Sequence, residues 1–108
     1  MTTWTIINLT CKPLENELIN IVYQIQWRYT KTTIIGGITY NAFNTGITEI
    51  DMPDVNSFTP FENLTKTQVV TWLESKLGEI YITEMNTRLD QDIYAQSNRI
   101  ILQPPFED

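Results

Sequence analysis

The feature that most limits how this chain can fold is a long alternation near its start. Ile19, Ile21, Tyr23, Ile25, Trp27 and Tyr29 alternate with Asn20, Val22, Gln24, Gln26, Arg28 and Thr30. Successive side chains of an extended backbone point to opposite sides, so this pattern predicts a strand with one buried face and one wet face. The same residues placed at 100° steps would scatter around a helix. At ~3.3 Å per residue the strand is about 36 Å long, which is long for a small domain.

Other strand signals surround it. Residues 3 to 11 read as a first strand, with Trp4 and Ile6 on one face and Thr5, Ile7, Leu9 and Cys11 on the other. Pro13 and the polar run Glu15-Asn16-Glu17 make a turn. Tyr29-Thr30-Lys31-Thr32 can turn the chain again, into a Thr- and Ile-rich third strand over residues 33 to 43. Gly36-Gly37 falls inside that strand and suggests a bulge or sharp bend. Asn44-Thr45-Gly46 reads as a short hairpin loop with Gly46 left-handed, and Ile47 to Met52 as a short fourth strand.

From Pro53 to Leu64 the periodicity breaks, and Phe58, Phe61 and Leu64 are the expected anchors of a loop. Thr65-Lys66-Thr67-Gln68 is a capping box, with Thr65 as N-cap and Gln68 reaching back. The helix it opens carries Val69, Val70, Leu73 and Leu77 on one face, and Gly78 stops it. A second helix runs from about Glu79 to Asn98, with a stripe of Ile82, Met85, Leu89, Ile93 and Gln96. The short link at Gly78 implies a helical hairpin. The reading is therefore a single α+β domain over residues 1–108. An antiparallel sheet of about four strands (1–52) is followed by a loop (53–64), two helices (65–98) and an extended tail (99–108).

Two helical aromatics, Trp72 and Tyr94, lie off their apolar stripes. Each either covers the rim of the core or anchors a partner, a role in which Trp and Tyr are enriched. The tail Ile100-Ile101-Leu102-Gln103-Pro104-Pro105-Phe106 is apolar and stiffened by its prolines, so it cannot continue the helix. It is expected to pack in extended form on its own sheet; the alternative is that it reaches a neighbouring subunit. The candidate partner-binding residues are thus Trp72, Tyr94, Ile101, Pro104, Pro105 and Phe106.

Composition excludes several function classes. The net charge is −6, and the seven Lys and Arg are scattered. Phosphate backbones are bound by clustered cations that release counterions, so direct nucleic-acid binding is not expected. The carboxylates are dispersed as well, which argues against mimicry of DNA; the charge serves solubility. There is no histidine, and acid–base chemistry would have to rest on carboxylates such as Glu74, Glu79, Glu84, Asp90 and Asp92, which fall on solvated positions. Zinc and iron–sulfur sites lack ligands. Asp51, Asp54 and Asn56 do not have the spacing of a calcium loop. Gly36-Gly37 lacks the lysine and the following helix of a phosphate cradle. The single cysteine, Cys11, reads as a small hydrophobe rather than a nucleophile. No secretion signal opens the chain, and no apolar stretch approaches the ~20 residues of a membrane helix. The expectation is a non-enzymatic protein without cofactor or metal.

Taken together, several blocks resemble a family of small uncharacterised proteins of marine tailed bacteriophages, cyanophages among them. They are Trp4-Thr5-Ile6-Ile7-Asn8-Leu9, the strand ending in Trp27-Arg28, and Phe58-Thr59-Pro60-Phe61-Glu62-Asn63-Leu64-Thr65. The last runs into Val69-Val70-Thr71-Trp72-Leu73 and Leu77-Gly78, and Leu89, Ile93, Gln96 and Pro104-Pro105-Phe106 fit too. Arg99 to Leu102 is more apolar than the family pattern, and Glu107-Asp108 extends past it. The family carries no assigned catalytic residues. The resemblance implies a virion structural or accessory protein, such as a capsid decoration or head–tail component, working through protein–protein contacts and possible self-association. The alternatives are an early effector that binds a host bacterial protein and an assembly chaperone absent from the finished particle. The implied locations are the virion or the host cytoplasm, with neither secretion nor membrane residence.

Overall fold

A computed structural model of the protein describes residues 1–15, 18–51, 58–100 and 102–107. Three antiparallel strands form one sheet: β1 (Thr2–Glu15), β2 (Leu18–Ile35) and β3 (Ile38–Glu49), in the order β1-β2-β3. The class is α+β as expected, with the sheet preceding a helical hairpin.

The turns fall elsewhere than the sequence suggested. Thr30 to Thr32 do not turn; they continue β2, opposite Ala42 and its neighbours on β3 and Thr2 and Thr3 on β1. β-branched Thr sits well in an extended strand, and the pairing on both sides outweighs the local polarity. The reversal comes instead at Gly36-Gly37, where φ is 59° and 81°. Both central residues of a two-residue type I′ hairpin need positive φ, which glycine adopts without strain. Ile35 pairs with Ile38 directly across it. Gly46 is not in a loop but in mid-β3, opposite Trp27. The expected third and fourth strands are therefore one, and the described residues hold three strands rather than four. Asn16, Glu17, Met52 and the loop residues 53–57 lie outside the described residues, as does Ile101 in the tail.

Two register shifts decide which residues face the core. Ile6 pairs with Trp27 and Asn8 with Gln26, so Ile7 is an extra residue on β1. Thr10 pairs with Gln24 and Cys11 with Val22, so Tyr23 is an extra residue on β2. A bulge flips the alternation beyond it. Leu9 and Cys11 thus join Trp4 and Ile6 on the core face, against the simple period-two reading, and Ile7 is exposed. On β2, Ile25, Trp27 and Tyr29 keep the expected face. Below Tyr23, Val22 joins the core cluster, Ile21 is fully buried as expected, and Ile19 is exposed.

Helices α1 (Lys66–Leu77) and α2 (Glu79–Ser97) cover that face. Thr65 caps α1 as predicted, its hydroxyl accepting from the Gln68 backbone N–H at 3.2 Å. The Gln68 side chain does not close the box; its Nε2 donates to the Thr59 hydroxyl at 2.9 Å and ties the preceding segment to the helix. Gly78 links the helices with φ 86° and ψ 155°, a region that is essentially glycine-only. Val69 and Leu73 of α1 meet Met85, Leu89 and Ile93 of α2 over Ile25 and Trp27 in one core.

Candidate interaction surfaces

The core face is closed by specific polar contacts. Trp27, 1% exposed, donates from Nε1 to the Thr48 hydroxyl at 2.9 Å. Trp4 packs edge-on against it at 5.5 Å and against Tyr29 at 4.5 Å. The Tyr29 hydroxyl donates to Asn86 Oδ1, Lys31 pairs with Asp90 at 2.6 Å, and Gln96 Nε2 donates to the Asn41 carbonyl. These contacts lay α2 along β2 and bring its C-terminal end to β3.

No described helix lies on the opposite face of the sheet. That face carries Asn8–Gln26 and Thr32–Asn41 side-chain hydrogen bonds, a polar ladder of the kind that stabilises neighbouring strands. Set into that ladder are Phe43 and Ile47, both about three-fifths exposed, with the Arg28 guanidinium 5.2 Å from the Phe43 ring. Beyond the end of β1, the β2–β3 hairpin projects with Ile34, Ile35 and Ile38 exposed at its tip. These positions were not singled out from the sequence. The signal was present in Gly36-Gly37: once the turn is placed there, the alternation puts Phe43 and Ile47 on the face of Gln26 and Thr30.

The predicted partner-binding residues do not form one patch. Trp72 is half-buried, packs on the core and lines a cavity of about 380 Å³ beside Ile50, Phe58 and Leu64, with the Lys76–Asp51 pair at 3.6 Å on its border. Tyr94 is 69% exposed and is not part of that cavity. Pro104, Pro105 and Phe106 are exposed, as are Ile100 and Leu102, so the described tail does not pack on its own sheet as expected. Phe61, one of the expected loop anchors, is partly exposed, while Phe58 and Leu64 are half-buried.

Among the described residues, no group of three or more His, Cys, Asp or Glu is placed to hold a metal ion. Cys11 is half-buried, and burial pushes its thiol above the ordinary range. No described helix is long and apolar enough to cross a membrane. A search of curated proteins and a search of solved structures each found no match. A family model does match, over residues 1–107, and its description is a domain of unknown function. The chain therefore belongs to the DUF7936 family.

Proposed function

We propose that the protein is a non-enzymatic structural or accessory subunit of a phage particle, a capsid decoration or head–tail component, that works through protein–protein contacts. The observation that carries this reading is where the apolar surface lies. Large apolar side chains are exposed on three separate parts: the bare sheet face (Phe43, Ile47), the hairpin tip (Ile34, Ile38) and the tail (Ile100, Leu102, Phe106). Contiguous exposed apolar patches mark interaction sites. A subunit held in a lattice touches several neighbours and needs several such surfaces. A host-directed effector acting through a single aromatic patch would need Trp72 and Tyr94 to share a surface, whereas Trp72 packs on the core. The elongated shape, 69 × 33 × 20 Å, also favours a part that spans between neighbours. The resemblance to marine phage proteins supplies the setting.

The test is quantitative mass spectrometry of gradient-purified particles of a phage carrying the gene. High copy relative to the major capsid protein supports decoration, and low copy supports a neck or tail position. Absence from particles overturns the reading.

A further inference from the structure

A groove of about 480 Å³ opens on the β1 side of the helices. Ile6 and Leu9 of β1 and Val69 of α1 line it, with Phe61 and Leu64 beside them. Lys66 is the one charged residue among its described lining residues. In a chain of net charge −6, this is a locally positive, apolar site. The start of α1 reinforces the sign, because its first turn holds no acidic residue to offset the helix dipole.

The tail has the complementary chemistry. Leu102, Pro104, Pro105 and Phe106 are exposed, and Glu107 and Asp108 follow them in the sequence. Paired prolines restrict the backbone of the tail, which bends at Pro105 and Phe106, so less conformational entropy is lost when such a segment docks on an apolar, aromatic-lined groove. In its own chain the tail does not occupy the groove: Leu102, Pro104, Pro105 and Phe106 are exposed and none of them lines it. Gln96 anchors the end of α2 to Asn41 of β3, at the sheet edge away from β1.

We propose that the Leu102–Glu107 tail of one copy docks in the β1–α1 groove of a second copy, with Phe106 against Ile6, Leu9 and Phe61 and Glu107 against Lys66. The inference rests on the structural-subunit reading and names the partner of the tail: another copy of the same chain. Apolar contact supplies the affinity, and the single charge pair sets the register.

Light scattering of the full chain over a range of concentrations tests it. The expected result is a mass that rises with concentration above 12.6 kDa. Lys66→Glu and Glu107→Lys should each weaken association about tenfold, since each sets like charges against one another. The double variant should restore it. Deleting residues 102–108 should give a monomer across the same range, with the melting temperature that the full chain shows at concentrations where it is monomeric. A monomer at every concentration overturns the proposal, and so does association that survives the deletion. Particle mass spectrometry reads the parent proposal separately. A protein present in particles yet monomeric in solution leaves the structural role standing and removes the tail exchange.

Discussion

Trp27 and Gly46 show how one side chain fixes the identity of its neighbour. The indole lies across the backbone of Gly46, and a Cβ built there would sit 2.5 Å from Trp27 Cζ2 and 2.8 Å from Cε2. Gly46 has no positive φ, so space rather than backbone freedom requires it. Gly46→Ala must push the ring off its seat and strain the Trp27–Thr48 bond. The expected cost is about 1–3 kcal/mol by overpacking, read as a lower denaturant midpoint and a red-shifted tryptophan emission. Cys11 gives a second prediction at this scale. Its thiol is raised by burial, so the folded state holds the proton more tightly than the unfolded state. Its contribution to stability is complete below the unfolded thiol's pKa and is lost as the pH rises through the folded one. Alkylation at neutral pH should therefore be slower in the folded than in the urea-unfolded chain. Cys11→Val should flatten the alkaline fall in stability.

At the scale of elements, the joint between α1 and α2 depends on one residue. Gly78 accepts from Ile82 N–H through its carbonyl and donates its own N–H to Glu74, while its φ and ψ lie where side chains are not tolerated. Among the described residues no atom lies within 4 Å of a Cβ built there, so a substitution would act through the backbone. Gly78→Ala is expected to cost about 1–3 kcal/mol and to leave both helices present by circular dichroism, with a lowered melting temperature. Strand boundaries follow a different logic. Polar runs at Thr30–Thr32 and Asn44–Thr45 look like turns in the sequence, but they are spanned by pairing on the long β2 strand. Between β2 and β3, Gly36-Gly37 has the backbone freedom for the two-residue reversal.

The whole molecule is extended for its length. Its Cα radius of gyration is 19.4 Å, where a compact chain of this size has roughly 13 Å. β2 alone, 18 residues at ~3.3 Å each, is about 60 Å long, against a longest dimension of 69 Å. Small-angle scattering at low concentration should return the extended value; a radius near the compact one would show the hairpins folded back. Deleting residues 102–108 should leave the melting temperature within about 1 °C, because exposed residues outside the core change stability little. A large drop at a concentration where the full chain is monomeric would place the tail in the core.

The residues by themselves determined the fold class, the helix starts and the buried stripes. Thr65 caps α1, and Met85, Leu89 and Ile93 fall inward, because capping and helical periodicity are local and depend on residues three or four apart. The alternation around Trp27 fixed β2 for the same reason. Of the candidate interaction surfaces, the tail was legible as an apolar segment stiffened by prolines. Phe43, Ile47 and the groove around Lys66 were not. Their exposure depends on where the strands turn, on the single-residue bulges at Ile7 and Tyr23, and on which face of the sheet the helices cover. Those are choices among pairings of distant residues. Only the tertiary structure decides them, because the free energy that selects a register belongs to the packed sheet and not to any stretch of sequence.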